Sequence, residues 1–96
     1  MPRPFDGSDL ERQRLLTFGH RLRQLRAWRE LSQDALATRS GLSRDFIAKV
    51  EQGRTSPGLL RVWELADGLD ISLAELFSEG LPPSWARRRP GFDPPR

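Results

Sequence analysis

An all-α fold, a compact bundle of five short helices, is what this 96-residue sequence predicts. Three observations point to it. Apolar residues recur at steps of three and four almost throughout the chain's middle. No segment alternates apolar and polar residues with β-branched enrichment, so no strand is expected. Serine and glycine stand at the breaks between the periodic stretches, where helix caps belong.

The first helix is carried by "LLTFGHRLRQLRAW", which aligns Leu15, Phe18, Leu22, Leu25 and Trp28 in one stripe, with Ser8 or Asp9 as its cap. Gly19 lies inside it at a cost of up to ~1 kcal/mol relative to Ala. A neighbouring backbone packed close against Gly19 would justify that cost. Ser32 starts the second helix, with Leu36, Ala37 and Ser40 facing inward, and Gly41 ends it. Ser43 caps the third, whose apolar positions are Phe46, Ile47 and Val50. "GRTSPG", 53–58, is a loop by composition. The fourth helix follows Pro57, with Leu59, Val62, Trp63, Leu65, Ala66 and Leu69 wholly or partly buried. Ser72 caps a short fifth helix containing Leu73, Leu76 and Phe77. None of these helices is long enough to be stable alone, so all must share one core.

The ends differ from the middle. Residues 1–8 hold two Pro and one Gly, and residues 80–96 hold five Pro, two Gly and four Arg. Such proline density blocks helix and sheet ladders. The expected organisation is a flexible arm over 1–8, one domain over 9–79, and a flexible Pro/Arg-rich tail over 80–96. Trp85 and Phe92 of the tail remain available for docking.

Composition narrows the chemistry. Cysteine is absent and His20 is the sole histidine, which leaves almost no material for a disulfide, a metal site or a nucleophile–base pair. His20 reads as a partly exposed surface residue. No enzyme, cofactor, metal or small-molecule substrate is expected. No apolar run approaches the ~18 residues of a membrane span, and "MPRPFDGSD" lacks the apolar core of a secretory signal. The default expectation is a soluble cytoplasmic protein.

Sixteen Lys and Arg face thirteen Asp and Glu, a formal net charge of +3, and fifteen of the sixteen cations are Arg. A GC-rich genome explains that bias more simply than function does. The charge is polarised: residues 1–56 carry net +4, residues 57–79 net −4, and the tail net +3. A weak total does not exclude a polyanion partner, because the face that carries the charge decides.

Residues 33–52, "QDALATRSGLSRDFIAKVEQ", read as two helices joined by a tight turn. Ala37 is small where the helices approach. Gly41 can take positive φ with no Cβ penalty. Leu42 plugs the turn, while Leu36, Ile47 and Val50 fix the crossing angle. This spacing resembles the helix-turn-helix DNA-binding motif. The longer stretch from Phe18 to Phe77 resembles the lambda-repressor-like domain (Cro/CI-type, XRE family). "FGHRLRQLR", "LSQDALATRSGLS", "FIAKVEQGRTSP" and the "L..V..LADGL.IS...LF" pattern carry the match. Ser40 departs mildly, at an inward position where such motifs usually carry an apolar residue.

The resemblance implies double-stranded DNA as partner and residues 43–51 as the recognition helix in the major groove. Its outward positions, Arg44, Asp45, Ala48 and Lys49, would contact bases. Gln33 would contact phosphate and brace that helix, with Ser32 and Ser43 as further phosphate contacts. Arg44 suits guanine O6 and N7, and Asp45 suits cytosine N4. Phosphate binding or plain solvation remains open for Arg44, and a simple helix N-terminal preference for Asp45. Lys49 divides between base edge and phosphate. In the following loop Arg54, Thr55 and Ser56 would grip phosphates, unless it is an ordinary polar loop. In similar domains an Arg of the first helix pairs with a buried Glu, which assigns Arg26 and Glu51 a structural role.

Trp28 and Trp63 are most simply core. Trp63, Leu73, Phe77 and Leu81 together exceed what a small bundle buries easily, and the excess would form a two-fold dimer patch. The three arginines at 87–89 offer either sequence-blind phosphate binding or a solvated tail. The resulting expectation is a homodimeric, sequence-specific transcriptional regulator on a (pseudo)palindromic operator. Two alternatives stand beside it. One is an antitoxin that binds a toxin protein and its own operator. The other is a module that bridges proteins without reading DNA.

Overall fold

The start and stop of each helix follow from local chemistry in the computed structural model, which describes residues 9–78. Five helices occur in order: α1 (Asp9–Trp28), α2 (Gln33–Ser40), α3 (Arg44–Glu51), α4 (Leu59–Leu69) and α5 (Leu73–Leu76). No strand occurs among the described residues. Three serine hydroxyls open three of the helices. Ser32 Oγ accepts from the Ala35 N–H, Ser43 Oγ from Phe46 and Ser72 Oγ from Glu75, at 3.0, 3.0 and 3.1 Å. Each satisfies one of the orphan donors of a first helical turn. Gly41 ends α2 at φ +75°, and its N–H and that of Leu42 both donate to the Ala37 carbonyl.

Two helix ends are closed without glycine. Glu30 and Asp70 adopt φ of +58° and +57°. At the first, the Leu31 N–H reaches back to the Arg26 carbonyl, and at the second Ile71 reaches Ala66, both at 3.0 Å. These bonds satisfy terminal carbonyls and offset the left-handed backbone.

Leu22 and Leu25 of α1, Leu36 of α2, Ile47 and Val50 of α3, Leu65 and Leu69 of α4, and Leu76 of α5 are essentially inaccessible to solvent. One core therefore receives side chains from all five helices. Phe18, Trp28, Leu31, Leu42, Phe46, Ile71 and Leu73 pack around it, each partly buried.

Gly19 belongs where α1 crosses the end of α3. A Cβ there would sit 2.4 Å from the Val50 carbonyl oxygen and 2.6 Å from that of Glu51. The contact is backbone against helix, closer than any side chain permits. Ser40 has a comparable reason. Its Cα and Cβ lie within 3.2 Å of where a Cβ on Gly68 would project, so small residues on both sides let α2 and α4 approach.

Two expected core residues of α4 are exposed. Val62, Leu65, Ala66 and Leu69 form the inward stripe. Trp63 is one residue, or about 100°, round from Val62, and is 48% exposed. Leu59 lies in the first turn, one turn before the first buried residue, Val62, and is 66% exposed, as is its neighbour Leu60 at 67%. Trp28 is half-buried, with the Arg21 guanidinium 5.6 Å from its ring centre.

Arg21 is a buried charge of the bundle, at 3% exposure. Its Nε donates to the Leu76 carbonyl and its Nη2 to that of Glu75, at 3.3 and 2.7 Å. Arg21 thereby caps the four-residue α5 and ties it to α1. Arg21→Met keeps the stem volume and removes these charged donors. It is expected to lower stability by about 2 kcal/mol, measurable by urea denaturation. A loss below about 0.5 kcal/mol would show that α5 holds without the tie.

Candidate nucleic-acid interface

The sequence of α3, "RDFIAKVE", divides the helix into two faces. Ile47 and Val50 point into the core, and Phe46 packs against its edge. Arg44, Asp45 and Lys49 are exposed, and Ala48 is half-buried. The four positions expected to meet bases thus keep access to solvent. Their charges are not idle. Lys49 Nζ lies 3.1 Å from Asp45 Oδ2, one turn apart, and Arg44 Nε lies 3.8 Å from Asp34 Oδ1 on α2. Asp34 escaped the sequence reading, because at an α2 N-terminus a carboxylate is ordinary.

The inner end of α3 is held by one carboxylate. Arg26 Nε donates to Glu51 Oε2 at 2.7 Å, and Arg26 Nη2 donates to Oε1 at 3.1 Å. Gln33 Nε2 donates to the same Oε1 at 3.1 Å. Arg26 Nη1 also donates to the Leu31 carbonyl at 2.8 Å, after the end of α1. The Glu51 side chain is only 3% exposed and that of Arg26 only 16%. A fork–fork pair of this kind fixes orientation as well as distance. Glu51 therefore joins α1, α2 and α3, with Gln33 reaching it from the start of α2. Arg23 approaches the same carboxylate at 3.9 Å but is 69% exposed.

The remaining phosphate candidates keep access to solvent. Ser32 and Ser43 accept backbone bonds as caps, and each hydroxyl still carries a proton to donate. Arg54 and Ser56 are exposed and Thr55 half-buried in the loop after α3. Arg54 Nη1 touches Gln52 Oε1 at 3.3 Å. Gly58 precedes α4 with no side-chain cap, and the first turn of α4 has no acidic residue. That leaves its backbone N–H groups suited to an anion.

Of the dimer candidates, Trp63 and Phe77 are exposed and Leu73 is half-buried. Phe77 lies against Phe18 with ring centres 5.5 Å apart and planes tilted by 34°. Leu81, the arm 1–8 and the tail 80–96 lie outside the described residues. No helix among the described residues is long and apolar enough to cross a membrane.

The family model of a helix-turn-helix domain matches residues 17–77, which run from inside α1 to the end of α5. The chain belongs to the helix-turn-helix domain family. Within it, this helix-turn-helix protein resembles the restriction-modification controller protein C.AhdI from Aeromonas hydrophila. The two are 45% identical with a TM-score of 0.66, over 68% of this chain and 98% of that one. It is 34% identical over 65 residues to the control protein C.MunI of Mycoplasma sp, covering 67% of this chain and 88% of that protein. It is also 33% identical over 64 residues to the immunity repressor of Bacillus phage phi105, but spans only 44% of that longer protein. Helix-turn-helix regulators of the lambda-repressor-like class are its structural neighbours.

Proposed function

We propose that this helix-turn-helix protein, a DNA-binding transcriptional regulator by family, binds a two-fold symmetric operator as a homodimer, in the bacterial cytoplasm, with α3 in the major groove. The two-faced α3 supports this reading most: Ile47 and Val50 are buried while Arg44, Asp45 and Lys49 stand outward. Arg44 forks onto guanine O6 and N7, and Asp45 accepts from cytosine N4. Gln33, Ser32, Ser43, Arg54, Thr55 and Ser56 engage phosphates and set the register. Trp63, Leu73 and Phe77 supply the two-fold contact, and the half-sites then lie about 34 Å apart, one helical turn. A more specific reading, control of restriction-modification genes, is favoured by likeness: the chain is 45% identical to C.AhdI and 33% identical to the phage repressor.

Selection of bound fragments from randomised DNA tests the proposal, and a palindromic consensus is the expected result. Arg44→Ala should erase preference at one base step while retaining weak binding at low salt. Arg54→Ala should weaken every sequence alike and reduce the salt slope by about one unit. Equal weakening of all sequences by Arg44→Ala would remove Arg44 from base reading, and recovery of no consensus at all would remove the whole assignment.

A further inference from the structure

Two acidic and two basic side chains, Asp34, Arg44, Asp45 and Lys49, share the outward face beside the turn. The ion pairs Arg44–Asp34 and Lys49–Asp45 match each cation with a carboxylate, so the local charge cancels. All four side chains are roughly half or more exposed. Beyond a favourable charge in the first turn of α2, the fold gains little from Asp34. Its side chain is 74% exposed, and Ser32 already caps α2.

We infer that Asp34 is a specificity-determining residue that acts through Arg44, holding the guanidinium away from phosphates until a matching base step is met. The inference rests on α3 being the groove-bound helix. Sequence-blind affinity for DNA comes from cations that replace counterions along the phosphates. An exposed Arg44 can serve a phosphate as readily as a guanine. A phosphate drawn to Arg44 must also approach the Asp34 carboxylate, and like charges repel. A guanine edge carries no net charge and suffers less from that carboxylate. Its O6 and N7 also take both arms of the fork, a better arrangement than a single 3.8 Å contact. Asp45 works in the same sense towards Lys49. It loses its partner when Lys49 turns to a phosphate and regains one at a cytosine N4. Asp34 therefore weakens binding to every duplex, and weakens it most where the sequence is wrong. It is a positioning residue, since it reaches the bases only by way of Arg44.

The test compares the selected operator with a random duplex of equal length, across a salt series. Asp34→Asn should raise affinity for the random duplex about two- to fivefold, the scale of an exposed ion pair. It should steepen the salt slope by up to about one unit, because Arg44 then joins a phosphate. Operator affinity should rise less, so the ratio between the two narrows. In an Arg44→Ala background the same substitution should leave the ratio unchanged. Asp67→Asn, the same charge change at an exposed position of α4, serves as control. The inference is overturned if Asp34→Asn leaves the ratio intact, if its effect survives without Arg44, or if Asp67→Asn reproduces it. If neither the wild type nor any variant binds duplex DNA, the groove reading fails first and this inference falls with it.

Discussion

Glu51→Ala will lower the stability of the bundle by about 3–5 kcal/mol, the scale of breaking a buried pair from one side. The Arg26 guanidinium would keep its bond to the Leu31 carbonyl and lose both bonds to the carboxylate. Gln33 would lose its acceptor as well. A domain of this size holds only about 5 kcal/mol in total, so the variant will keep at most about 2 kcal/mol and be marginally folded. Arg26→Met combined with Glu51→Met should recover most of the loss, because no buried charge is then left alone. Urea titration followed by circular dichroism measures both. A single-variant loss under about 1 kcal/mol would mean that water reaches the pair and screens it.

Gly19→Ala is the second large effect, and its sign is the test. Helix propensity alone predicts a gain of up to ~1 kcal/mol in the middle of a 20-residue helix. The new methyl group would instead overlap two carbonyl oxygens of α3, which as backbone cannot rotate away. A net loss of about 1–3 kcal/mol is expected, as for other overpacked sites. The folded fraction should also bind DNA less tightly, because α3 is displaced relative to α1. A rise in melting temperature would mean that α1 and α3 are free to separate at no cost.

Most of the fold was legible because its punctuation is local. Ser32, Gly41, Ser43 and Ser72 act on groups within a few residues of themselves, and such rules need no tertiary context. Gly19 was legible as an anomaly, since a glycine inside a strong helical pattern demands a close neighbour. Arg21 was not legible. Nothing in the sequence marks it as inward-facing among fifteen arginines, and its partners are carbonyls 54 and 55 residues away. Arg39, whose Nε donates to the Gly68 carbonyl at 2.6 Å, was hidden for the same reason. Leu59 and Trp63 misled because periodicity assigns a stripe but not the point along the helix where the core stops. Within the candidate site, the outward residues of α3 followed from its period. The Gln33–Glu51 and Asp34–Arg44 contacts depend on how α2 leans across α3, which no spacing rule encodes.

The division of α3 into an anchored side and an open side has an evolutionary consequence. Ile47, Val50 and Glu51 secure the helix, while positions 44, 45 and 49 carry only exposed ion pairs. Letters at those three places can be rewritten without taxing the scaffold. On the proposed groove reading, descendants of one such gene drift to new target sites by a few codon changes, and a library varied at these positions alone should yield altered preferences at nearly constant melting temperature.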